Sequence, residues 1–341
     1  MQNQKNVITF VATVPVLHPV RSAHGSSFLQ TLQLLSAPIK HAAMAKRPRT
    51  IQEQIDLLKK RNMLFRNESK ASYFLANISY YRLKGYWWEM QDDKVNHHFV
   101  DNTYFEDVIK LYNFDKRFRL IVFDAIEHIE IALRTKMIYH LSLTHGAEWY
   151  LNSSLFPNKK YFSDFQSKLH SELTESSEEF IVKHYTNHPN ENPESWKALE
   201  VLTFGSLSKL YRNLDHQLHE KNLVAKEFGL YNQKHLSSWL ITITLLRNII
   251  AHHGRLWNRV IINKYDWPKK TIQPILDYIP NNHQRRKIFP ILSAILYLNN
   301  FINRDNHIRT DFLELFHEFK HISLYKMGFP KGWEQQPIWK I

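Results

Sequence analysis

Apolar residues recur at spacings of three and four along most of this chain, and strict alternation is scarce, so the pattern predicts helices and hardly any sheet. The signal begins at Thr50, which forms a capping box with Glu53 and is followed by the stripe Ile51, Ile55, Leu58 and Met63. A second helix is expected over residues 71–83. It runs into an aromatic and basic stretch that includes Tyr80, Tyr81, Arg82, Lys84, Tyr86, Trp87 and Trp88. The polar stretch 92–103 predicts a loop. The longest helical pattern spans 105–143, with Leu111, Phe114, Phe118, Ile121, Ala125, Ile129 and Leu133 on one stripe. A charged helix over 162–184, with its acidic run on a solvated face, a turn at 187–193, and helices over 196–214 and 222–228 complete the expectation of an all-α fold.

Residues 236–252 differ from the other helical stretches because their apolar side chains point in nearly every direction around the axis. A helix of that kind belongs in the middle of its domain. Arg247 and Asn248 leave this element near its end, Gly254 is placed to terminate it, and His252 and His253 fall at the border of core and solvent. A cation carried into apolar surroundings needs an anionic partner. Either a phosphate or a carboxylate of the long helix, Glu127 or Glu130, meets that need for Arg247. Taken singly, Glu127 and Glu130 read as a solvated face, Glu130 with Arg134 four residues on.

Composition narrows the chemistry. None of the 341 residues is cysteine, which excludes disulfides, thiolate nucleophiles, zinc-thiolate sites and iron–sulfur clusters, and suits a reducing, cytoplasmic setting. A net charge of +13 favours a polyanionic partner, and by charge alone a membrane surface is as good a match as a phosphate backbone; the Tyr and Trp side chains are candidate stacking platforms for the unpaired bases of RNA. Most of those aromatics are expected in the core. No segment supplies the roughly 18 to 20 uninterrupted apolar residues of a membrane span: Arg247 stops the run from Trp239, and Pro290, Asn299 and Asn300 break the run 288–302. Residues 1–43 contain no Asp or Glu and carry loop-forming Pro15 and Pro19, so they read as a weakly ordered extension upstream of Met44.

An Arg five positions ahead of a His suits a metal-independent ribonuclease. The guanidinium binds the scissile phosphate, and the imidazole, titrating near neutral pH, works as general acid and base on the ribose 2′-hydroxyl. The products carry a 2′,3′-cyclic phosphate and a 5′-hydroxyl. The spacing alone is uninformative, because 20 His and the Arg content predict about one chance occurrence, and Arg247/His252 is one. Positions five apart also differ by about 140° on an ideal helix. Convergence therefore demands a curled Arg or a helix unwound at His253-Gly254. One motif also supplies a single Arg and one or two His, and pairing two copies across a two-fold axis assembles a fuller composite site, which predicts a homodimer. A cap on the helix C-terminus also accounts for one His. Neither a metal nor a cofactor is expected, since adjacent His residues point apart and no third ligand is spaced with them.

Arg247-Asn248 followed by Ala251-His252-His253 and by Arg255-Leu256-Trp257-Asn258-Arg259 resembles the signature of the AbiD/AbiF-like abortive infection proteins, members of the HEPN superfamily. Ile78 to Leu83 with Gly85-Tyr86-Trp87, Phe114-Asp115 through Ala132-Leu133-Arg134, and Glu200 to Tyr211 match in the same order. The resemblance runs from about Met44 to at least residue 304. It implies a HEPN-like helical bundle: an extension over 1–43, an additional N-terminal helical region over 44–104, the HEPN-like core over 105–304, and a C-terminal helix and tail over 305–341. It further implies a phage-defence effector, a metal-independent endoribonuclease toxin. Arg247 would bind phosphate, His252 would act as acid and base with His253 assisting, and Asn248 would orient the site. Arg255, Trp257, Asn258 and Arg259, with Arg82 and Lys84, would contact the RNA. The alternative is a non-cleaving protein that grips a structured or non-coding RNA through the same basic site. A third reading makes the bundle a protein-interaction module.

Overall fold

A computed structural model describes residues 47–340, so the expected extension over 1–43 lies outside the described residues. From Ile51 onward the chain is a bundle built on one 41-residue helix. The helices are α1 (Ile51–Lys60), α2 (Glu68–Ile78), α3 (Tyr80–Trp87), α4 (Phe105–His145), α5 (Lys159–Thr174), α6 (Glu179–Asn187), α7 (Ser195–Ala198), α8 (Phe204–Asn213), α9 (His219–Glu227), α10 (Gln233–Ala251), α11 (Ile288–Ile302) and α12 (Ile308–Glu318). The fold is all-α, as the periodicity predicts.

The stripe of α4, from Phe105 through Phe114, Phe118, Ala125, Ile129 and Leu133 to Leu141, is buried along its whole length. Helices α3, α9, α10, α11 and α12 pack against it. Burial of this kind stabilises by about 1.5–3 kcal/mol for each large apolar side chain, which is why the long helix needs no special propensity. Helix α10 lies among α4, α8, α9 and α11. Its Leu236, Trp239, Leu240 and Ile243 are fully buried. One polar residue ties the centre together: the buried Asn299 amide of α11 donates to the carbonyls of Ala125 (3.0 Å) and Ile295 (2.9 Å). Pro290 does not interrupt α11, because it occupies the first turn, where the missing N–H has no helical partner to lose. Among the described residues no helix is long and apolar enough to cross a membrane.

Several expected elements divide. The helix predicted over 71–83 breaks at Ser79, whose φ of +72° ends α2, while its hydroxyl accepts from the Arg82 N–H and starts α3. The break lets Ala71 and Leu75 bury separately from Leu83, Tyr86 and Trp87. The expected loop 92–103 contains a small antiparallel ribbon, β1 (Gln91–Asp93) and β2 (His98–Phe99), and the Asp93 carboxylate accepts from the N–H groups of Val95 and Asn96 at its turn. The charged helix 162–184 is two, α5 and α6, separated around the acidic run. The stretch 196–214 divides at Leu202, and Thr203 caps α8. Glu130 and Arg134 do not form a solvated face. Their side chains are 18% and 12% exposed, pair at 3.4 Å, and Arg134 also donates to the carbonyls of Leu199 and Leu202.

Candidate functional site

The end of α10 is a Schellman turn. His253 N–H donates to the Ile250 carbonyl (2.8 Å) and Gly254 N–H to the Ile249 carbonyl (2.7 Å). Gly254 closes the helix end, as expected, while the left-handed position belongs to His253 before it, at φ +56°. Gly254 is needed for space instead: a Cβ there would lie 2.9 Å from the Ile249 carbonyl oxygen. A β-carbon in the left-handed region costs about 1–2 kcal/mol. Arg82 holds the strained residue from α3, its guanidinium donating to the His253 carbonyl at 2.7 Å. Replacing His253 by glycine should therefore raise stability by about 1 kcal/mol in urea unfolding. A fall would mean that the imidazole itself stabilises the turn.

Beyond the turn the chain is gathered by Asp115, a residue the sequence reading did not single out for the site. Its carboxylate is fully buried. Oδ1 accepts from the N–H groups of Leu256 (2.9 Å) and Trp257, and Oδ2 accepts from the Tyr86 hydroxyl (2.7 Å) and Arg119 Nε (3.2 Å). Burial pushes the carboxyl above its ordinary range, and the Tyr86 hydroxyl, the Trp257 N–H and the Arg119 charge oppose it. Four donors suit the ionised form. Burial and this neighbouring carboxylate raise the Tyr86 hydroxyl well beyond its usual value. The available signal was an Asp/Arg pair four residues apart within the apolar stripe of α4.

The motif side chains then take different places. Arg255 is half-buried, donates to the Gly85 carbonyl and lies 5.8 Å from the centroid of the Trp257 ring. Trp257 is 4% exposed, so it packs inside the loop and is no open stacking face. Arg259 is exposed, Lys84 is half-buried on α3, and Asn258 turns the chain at φ +49°. In the aromatic stretch before them Tyr86 and Trp87 are core, while Tyr81 is 85% exposed.

Two clefts lie in succession along the seam of α4 and α10, sharing Phe123. The first, about 310 Å³, holds half-buried Arg247 opposite Glu127, Glu130 and Arg134. Among the described residues Arg247 has no carboxylate within 4.0 Å. Burial raises the Glu130 carboxyl, and the charges of Arg134 and Arg247 pull it back. The second cleft, about 580 Å³, is basic, with Arg82, Lys116, Arg119 and His253 around Leu120 and Phe123. Arg247 and His253 thus share one seam. Asn248 and His252 do not: both are exposed, one helical turn apart, about 100–140° around the axis from Arg247. His252 lines neither cleft.

This is an all-α protein whose central helix ends in a strained, basic turn beside a half-buried guanidinium. The model of the Abi-like protein family matches residues 73–258, more than half of the chain, and the chain belongs to that family. Membership supports a role in abortive infection, a form of phage defence. No curated protein and no solved structure matches the chain.

Proposed function

We propose that this chain is a metal-independent endoribonuclease of the HEPN type, a cytoplasmic toxin that acts as a homodimer in phage defence. The observation that carries this is Arg247: a half-buried guanidinium with no carboxylate within 4.0 Å among the described residues, on a helix that ends within five residues in two histidines. Desolvated cations are stable when an anion completes them, and a phosphodiester is the anion a protein of net charge +13 attracts. His252, held on the exposed face, supplies the acid and base, His253 assists, and Asn248 orients the imidazole. In the expected division, 44–104 is a helical addition, 105–304 the HEPN-like core and 305–341 a C-terminal helix and tail.

The separation of Arg247 from His252 around the helix bears on the partner. In one copy they occupy different faces, so a two-fold pair that sets His252 of one copy over the Arg247 cleft of the other forms a complete site. The same separation also favours a second reading, a non-cleaving protein that grips RNA through Arg247, Arg255 and Arg259. Expressing Arg247→Ala and His252→Ala beside the wild type, and scoring growth arrest and RNA 3′ ends, decides between them. Arrest with cyclic-phosphate ends in both variants overturns the nuclease. RNA that co-purifies without cleavage supports the gripping protein.

A further inference from the structure

Beside the Trp257 loop lies a cleft of about 490 Å³, within the roughly 300–1,000 Å³ of ligand sites. It is assembled from distant pieces of chain: Glu89 after α3, Asn258 of the motif, His283 and Lys287 before α11, and Tyr325 and Lys326 near the C-terminus. The four residues from His283 to Lys326 fall outside the family-matched segment 73–258.

Its chemistry is uneven in charge and open in one place. Glu89 opposes His283, Lys287 and Lys326, and only Lys326 pairs with it, at 3.3 Å. Lys287 donates to the Lys326 carbonyl. The stretch of chain that supplies Asn258, His283 and Lys287 is basic as well: between Arg255 and Lys287 it has eight Lys or Arg against Asp266 and Asp277. Tyr325 is 81% exposed beside these cations. An aromatic ring left in water costs free energy and is stable there only because backbone geometry places it; a base laid on it recovers that area. A basic groove with one open ring is how proteins take unpaired nucleic acid, the cations following the backbone and the ring stacking a base. Duplex RNA, with its bases covered, has no use for the ring. The cleft also continues the motif loop, for the Lys326 ammonium lies 6.0 Å from the centroid of the Trp257 ring and Asn258 lines the wall.

We propose that this cleft is a binding subsite for single-stranded RNA, in which Tyr325 stacks a base and Lys287, Lys326 and His283 hold the adjoining phosphates of the strand that also reaches Arg247. The inference rests on the RNA reading above and assigns the flanking part of the same substrate.

The test is fluorescence anisotropy with a single-stranded 2′-O-methyl oligoribonucleotide, which has no free 2′-hydroxyl and so is not cut. Tyr325→Ala should weaken binding about tenfold and Tyr325→Phe should leave it near the wild type, since stacking needs the ring and not the hydroxyl. A duplex of equal length should respond little to either change. Because Tyr325 projects into solvent, neither variant endangers the fold. Wild-type affinity in Tyr325→Ala, with a clear loss in Arg247→Ala, overturns this subsite and leaves the RNA reading standing. Equal weakening for the duplex also overturns it. A wild-type protein that binds no RNA overturns the RNA reading and this inference together.

Discussion

Alanine at Arg247 or at His252 is expected to lower RNA cleavage by about 10²- to 10⁴-fold each, the span attached to a lost general acid/base or a lost charge on the transition state. Mixing the two dead variants should bring part of the activity back. The two side chains lie on different faces of α10, so a site that joins Arg247 of one copy to His252 of the other survives in every mixed dimer, once per dimer. Random exchange makes half the dimers mixed, and about one quarter of wild-type cleavage returns. A site contained in one chain gives no recovery at any ratio. Co-expressing the variants and measuring 2′,3′-cyclic phosphate ends reads the result. Absence of recovery, with both single variants dead, removes the shared site while keeping the chemistry.

The largest loss of stability is expected at Asp115. Alanine there leaves the N–H groups of Leu256 and Trp257, the Tyr86 hydroxyl and buried Arg119 without their common acceptor. Removing one partner of a buried ion pair costs about 3–5 kcal/mol, and the orphaned donors place this site at the upper end. Asn at position 115 should cost less, because its oxygen still serves the two backbone donors, while its amide meets Arg119 as donor against donor. Urea unfolding of both variants measures the order. An Asp115→Ala protein as stable as the wild type would show that the loop holds itself. The functional consequence follows from position: Asp115 fixes the start of the loop carrying Trp257, Asn258 and Arg259, so Asp115→Asn should weaken RNA binding even where the fold persists.

The all-α class, the long helix α4 and the central place of α10 were legible in the sequence, because each depends on where apolar residues fall at a spacing near 3.6 and burial enforces that pattern. The basic turn after α10 was legible as a position, since an apolar helix cannot continue through Arg247 to Arg259 without reaching solvent. Only the tertiary structure decided the rest. Periodicity runs through Ser79 and through the acidic run after Thr174, whereas local hydrogen bonding and the need to bury two faces in different directions end the helices there. Asp115 reads as one more polar residue until the fold brings Leu256 and Trp257 to it from more than 140 positions away. That Gly254 ends α10 was legible, but that His253 takes the left-handed position and that Gly254 leaves room for the Ile249 carbonyl was not. In the sequence Arg247 and His252 stand five positions apart and Tyr325 lies far downstream. Which faces and clefts they occupy depends on helix azimuth and packing, which no single stretch of sequence contains.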